Sequence, residues 1–82
     1  MYKTCDLGLS AALVTVGFVL IELNRANEKR VAFMFKDTPD LQEAVTAYFS
    51  GILTGPLNNY YSSLRQLKAR LYSNDHGDFL NR

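Results

Sequence analysis

The chain has 82 residues, 48% of them apolar, and a formal net charge of +1. That length holds one domain at most, the apolar share is too high for a disordered chain, and the near-neutral balance exerts no global pull toward nucleic acid or membrane. The single cysteine, Cys5, cannot form an internal disulfide, which points away from small secreted scaffolds and toward the cytoplasm.

The elements predicted along the chain are helix, strand, strand, helix and helix. The first helix is expected from Cys5 to Val16, capped by Thr4 or Asp6, whose side-chain oxygens suit the free amides of a first turn. Leu9, Ala12, Leu13 and Val16 fall on one face, and Gly17 suits the left-handed position that ends a helix. The apolar run over 7–21 is too short to span a bilayer and is interrupted by Ser10, Thr15 and Gly17. Asp6 stands where a secretory signal would be basic, so neither a membrane span nor a signal is expected.

Phe18 to Leu23 reads as a strand, Asn24 to Arg30 as the turn, and Val31 to Lys36 as a second strand. An odd connection sets Val19, Ile21 and Leu23 beside Val31, Phe33 and Phe35, whereas an even one sets Phe18, Leu20 and Glu22 there. The odd connection is preferred because it keeps Glu22 and Lys36 on the wetter face. It leaves Phe18, Leu20, Ala32 and Met34 on a second apolar face. A lone two-stranded ribbon is marginal in water, so either helices wrap both faces, or Phe18, Leu20 and Met34 meet a partner or a second copy.

The second helix starts at Thr38-Pro39-Asp40, an N-cap, a residue suited to the first helical position and a carboxylate that complements the dipole. Its inner stripe is expected to be Leu41, Ala44, Val45, Tyr48 and Ile52, with Gly51 and Gly55 marking the exit. Pro56 opens the third helix, Leu57 to Tyr72, and residues 74–82 read as a flexible tail. The fold class expected is α+β: one domain over 1–73, an antiparallel hairpin packed against helices.

Chemistry is sparse. The one histidine, His76, lies in the tail without a nucleophile in credible relation to it, and Cys5 reads as a small buried apolar residue. One histidine and one cysteine do not make a zinc ligand set, and no glycine-rich phosphate loop is present. No catalytic residue, metal, cofactor or small-molecule substrate is therefore expected, and the chain reads as a binding protein rather than an enzyme.

The charge pattern is more informative. Basic charge falls into two clusters, Arg25, Lys29 and Arg30 around the turn, and Arg65, Lys68 and Arg70 in the last helix, where 56–72 holds no acidic residue. On a wheel of ~100° per residue, Leu57, Tyr60, Leu64, Leu67 and Leu71 form a core stripe. Tyr61, Arg65, Lys68 and Tyr72 form a second stripe on its flank, and Arg70 points away. Rings that stack on bases and cations that neutralise phosphates are what a strand of nucleic acid needs. Ordinary amphipathic packing, with tyrosines bordering a core and cations snorkelling beside it, accounts for the same pattern.

The runs Asp6-Leu7-Gly8-Leu9-Ser10-Ala11-Ala12-Leu13, Gly17-Phe18, Arg30-Val31-Ala32-Phe33-Met34-Phe35 and Leu64-Arg65-Gln66-Leu67-Lys68-Ala69-Arg70-Leu71-Tyr72 resemble a family of small bacterial and phage-borne domains of unknown function. The resemblance spans roughly residues 5 to 73. It implies a stand-alone accessory or regulatory protein, and it marks Lys68, Arg70 and Tyr72 as part of the family pattern. The tip, Asn24 to Lys29, departs from that pattern, so the resemblance does not extend to Arg25 and Lys29. Two functions follow as expectations: binding of nucleic acid or a ribonucleoprotein through the last helix and the hairpin, or a protein interaction, such as inhibition of a host or defence complex or a structural homodimer.

Overall fold

Six elements follow one another along the chain: β1 (Tyr2–Thr4), α1 (Leu7–Thr15), β2 (Leu20–Asn27), β3 (Arg30–Phe35), α2 (Pro39–Phe49) and α3 (Leu57–Asp75). This computed structural model describes residues 1–27 and 30–75; Glu28, Lys29 and residues 76–82, among them His76, Asp78, Phe79 and Leu80, lie outside the described residues. The expected α+β order of helix, hairpin and two helices is present, with one strand added in front of it.

That strand changes the sheet. The strand order is β1-β3-β2, all antiparallel, so β3 is central and the hairpin is not a lone ribbon. Tyr2 pairs with Phe35, Lys3 with Met34 and Thr4 with Phe33. β3 is thus paired along both edges, with Phe33 and Phe35 buried on one face and Ala32 and Met34 half-buried on the other.

The register resolves into both alternatives. Glu22↔Met34, Leu23↔Phe33 and Asn24↔Ala32 follow the preferred pairing, but a bulge between Leu20 and Glu22 shifts the remainder so that Leu20 faces Phe35. A bulge inserts one residue and re-aims the side chains beyond it. The expected inward set is therefore corrected: Leu23 packs on the core, while Val19 and Ile21 are exposed. Phe18 and Leu20, expected on the second face, pack against the core instead. Only Met34 with Ala32 remains there, in a row where Lys3 and Glu22 flank Met34 on the neighbouring strands.

α1 is the central helix. Asp6 caps it, with its carboxylate accepting from Leu9 N at 3.0 Å, and Thr4 Oγ1 in turn accepts from Asp6 N at 3.1 Å. Five consecutive residues, Leu9 to Leu13, are buried, so the helix is enclosed on more than the one expected face. Small residues allow this: Ser10, Ala11 and Ala12 let neighbouring elements approach, and Ser10 Oγ donates to the Asp6 carbonyl at 2.9 Å. Gly17, at φ +111°, turns the chain out as Phe18 N donates to the Leu13 carbonyl at 2.9 Å.

α2 starts as its residues dictate, with Thr38 Oγ1 accepting from Leu41 N at 3.1 Å and Pro39 in the first turn. Leu41 is buried and Ala44, Val45 and Tyr48 pack on the core. Ile52 departs from the expected stripe and stands 71% exposed, because the helix stops at Phe49 and the amides of Ile52 and Leu53 both turn back to the Ala47 carbonyl. The core proper is Leu9, Ala11, Leu13, Phe33, Phe35, Leu41 and Leu67, drawn from all three helices and the central strand.

Candidate nucleic-acid interface

The site is built on α3, which opens with Tyr60 N donating to the Pro56 carbonyl at 3.0 Å. Its inner side is Leu67, buried, with Tyr60, Leu64 and Leu71 half-buried against the core. Ser63 is also buried and faces α1. Thr15 Oγ1 donates to the Ala11 carbonyl at 2.7 Å and lies 3.1 Å from Ser63 Oγ, a paired hydroxyl contact that fixes the rotation of α3 on α1. One expected member of the core stripe is not there: Leu57 is 83% exposed, in the first turn beyond the reach of the core.

With the rotation fixed, Tyr61, Arg65, Lys68 and Tyr72 all face solvent on the flank. Tyr61 and Tyr72 are each 61% exposed, and their eleven-residue separation sets them about 16 Å apart along the axis. The Arg65 guanidinium lies over the Tyr61 ring, its carbon 5.7 Å from the ring centroid, one helical turn on. A shallow depression lined by Ser62, Arg65, Gln66 and Ala69 runs beside it. No acidic residue occurs between Ala44 and Tyr72.

The two basic clusters, separate in sequence, meet in space. Arg25, half-buried on β2, donates from one guanidinium nitrogen to the Leu71 carbonyl at 2.8 Å and the Arg70 carbonyl at 3.3 Å. Its charge thus faces the carbonyl-rich end of α3 and holds the hairpin to that helix. Arg30 is exposed and shares a depression with Cys5, Leu7, Val31, Phe33 and Leu71 of α3. Arg70 is exposed on α3 itself. Lys29 lies outside the described residues. Phe18 and Leu20 are half-buried against the core, and Met34 stands half-buried on the opposite sheet face.

A second polar cluster has no counterpart in the sequence reading. Gly8 is in the first turn of α1, and a Cβ there would lie 2.9 Å from Tyr48 Oη, 3.4 Å from an Asp6 carboxylate oxygen and 3.5 Å from Tyr60 Oη. Tyr60 Oη donates to the Gly8 carbonyl at 3.4 Å. Burial pushes the Tyr48 phenol above its ordinary value, helped by the Asp6 charge and by Tyr60, with which it also hydrogen-bonds. The only sequence signal for this cluster is a glycine in a helix first turn. Tyr2 is likewise raised, by burial and then by Asp6 and Asp37.

Cys5 is exposed rather than buried, because it sits in the turn between β1 and the cap Asp6. Among the described residues no three His, Cys, Asp or Glu side chains are grouped to hold a metal, and no helix is long and apolar enough to cross a membrane. The family model described as a domain of unknown function (DUF5659) matches residues 1–73. No curated protein and no solved structure matches the chain significantly.

Proposed function

We propose, for a chain that belongs to the DUF5659 family of domains of unknown function, a non-enzymatic accessory role in the cytoplasm of a bacterium or its mobile elements: binding nucleic acid, or the exposed strand of a ribonucleoprotein, along the solvent flank of α3. One observation carries the reading. Two exposed tyrosines bracket two cations on a flank without acidic charge, and a second basic cluster is held against the same helix.

The chemistry follows from those groups. Bases stack on Tyr61 and Tyr72, each stack worth about 1–3 kcal/mol, while Arg65 and Lys68 sit between them at the phosphates. Arg70 and Arg30 extend the positive field toward the hairpin. Arg25 is a positioning residue, since its guanidinium is turned to the Arg70 and Leu71 carbonyls. Contacts of this kind follow the backbone and carry little base discrimination.

The test is an anisotropy titration of labelled single- and double-stranded DNA and RNA at low salt. With two to four phosphates neutralised, binding to a single strand falls with a log–log salt slope of roughly −1.4 to −2.8, and single strands bind more tightly than duplexes. Anisotropy that stays flat with every probe at tens of micromolar protein, on the order of the weak non-specific range, sinks the proposal.

A further inference from the structure

Between Asp37 and Leu64 the chain carries three acidic residues and no basic one; between Ala44 and Tyr72 it carries three basic residues and no acidic one. α2 and α3 thus present charge of opposite sign. On α2, Asp40, Glu43 and Ala47 stand at i, i+3 and i+7, within about 60° on the wheel. Asp40 and Glu43 are exposed, and Glu43 and Ala47 line a shallow depression with Gln42, Thr46 and the exposed Ile52. On α3, Lys68, Arg65 and Tyr61 stand at i, i−3 and i−7 and face solvent. The two stripes, taken in opposite directions, have one spacing: about 4.5 Å along the axis between the charges and about 6 Å more to the third residue. Among the described residues, none of the four charges forms a salt bridge within the chain. Arg65 lies over the Tyr61 ring instead, and Asp40 shares a separate depression with Lys36.

We infer that the Asp40, Glu43 and Ala47 stripe of α2 docks the α3 flank of a second copy. Asp40 meets Lys68, Glu43 meets Arg65, and the Tyr61 ring covers Ala47 beside Ile52. Charge complementarity selects this occupant. Any basic segment answers the sign alone, whereas the α3 flank answers sign, spacing and size at three positions. It offers two cations one turn apart, then a large ring where α2 offers a small residue and an apolar depression. The flank is symmetric, with Tyr72 four residues beyond Lys68, so a parallel arrangement also satisfies the spacing. The helix dipoles favour the antiparallel one. Glu43 is the stronger anchor, because Asp40 already has Lys36 beside its depression. Exposed ion pairs contribute little each, so the association is weak, and salt screens it. It joins two different surfaces, and so extends head to tail unless a rotation closes it. Pairing covers the flank proposed for nucleic acid, so the two compete there; the pairing itself does not rest on that proposal.

Sedimentation equilibrium of the full chain, free of nucleic acid, from about 10 µM to about 1 mM at low salt tests it, a range chosen for a weak interface. The native chain rises above the mass of the 82-residue monomer as concentration rises, and high salt reverses the rise. Glu43→Lys, and separately the double change Arg65→Glu, Lys68→Glu, each weaken association about tenfold or more, because like charges then face one another. An equimolar mixture of the two variants recovers association, since one brings an unchanged basic flank and the other an unchanged acidic stripe. A native chain that is monomeric throughout, variants that associate as the native chain does, or a mixture no more associated than its components overturns the inference. Should a variant fail to fold, concentration-dependent amide shifts of the native chain decide. Shifts at Asp40, Glu43, Ala47, Arg65 and Lys68 support the pairing, and shifts confined to other residues overturn it. With no nucleic acid present, neither outcome bears on strand binding.

Discussion

Gly8 shows how much one hydrogen can decide. Its missing Cβ leaves room for the Tyr48 hydroxyl, with Tyr60 and Asp6 close behind. An alanine at a helical glycine ordinarily gains about 0.8–1 kcal/mol. Crowding a filled site costs about 1–3 kcal/mol. Gly8→Ala is therefore expected to destabilise by about 1 kcal/mol in urea unfolding, and the double change Gly8→Ala, Tyr48→Phe to recover most of it by removing the oxygen in the way. Equal stability of Gly8→Ala and the native chain would remove the steric account. The same cluster sets a pH dependence. A phenol whose value is raised in the folded chain keeps its proton where the unfolded chain has lost it. Stability from Tyr48 and Tyr2 is thus fully present below the ordinary tyrosine value of 10.0 and falls as pH rises from there through the folded values. Urea midpoints measured from neutral pH to above 10 should drop on the alkaline side, and less steeply in Tyr48→Phe; an identical drop in both proteins would show that Tyr48 is not involved.

At the scale of elements, the legible parts were those with local rules. Thr38-Pro39-Asp40 starts α2, and Asp6 caps α1, because cap chemistry acts within three residues. Gly17 ends α1 for the same reason. What was not legible depends on partners distant in sequence. β1 is three residues long, too short for any periodicity, and exists only because β3 offers an open edge. The bulge at Ile21 leaves no mark in a run of Phe, Val, Leu and Ile in which every residue suits a strand. Its effect is to turn Phe18 and Leu20 inward, so the second face shrinks to Met34 and Ala32. The flank of α3 was legible from spacing alone, whereas the convergence of the hairpin on its end was not, since it rests on Arg25 reaching carbonyls some 45 residues away. Arg25→Ala removes that tie and should cost about 1.5–3 kcal/mol, the range for hydrogen bonds that involve a charged group. Faster amide exchange in β2 and at the end of α3 is the accompanying sign. A variant with native stability and exchange would show that the hairpin is held by packing alone.

Over the whole molecule, charge divides the surface into three regions. Asp37, Asp40 and Glu43 gather around the start of α2, Arg25, Arg30, Arg65, Lys68 and Arg70 lie on and beside the later part of α3 with Lys3 and Lys36 apart from them, and the groove where α1, α2 and α3 meet has no charged residue in its lining. The core beneath takes three residues from α1, one each from α2 and α3 and two from β3, so no surface region can change without the same thin interior behind it. The exposed flank is the exception: Arg65 and Lys68 are exposed, and replacing both should shift stability by no more than about 0.5 kcal/mol. That separation of binding from folding makes the central claim directly measurable. Amide shift mapping of the 15N-labelled chain with a short single-stranded oligonucleotide at low salt, repeated with Arg65→Ala, Lys68→Ala, is the measurement. Salt-sensitive shifts clustered around Tyr61, Arg65, Lys68 and Tyr72, and lost in the double variant while its free spectrum stays native-like, are the result expected. Absence of shifts in the native chain, or shifts that lie elsewhere and survive the double change, would contradict it.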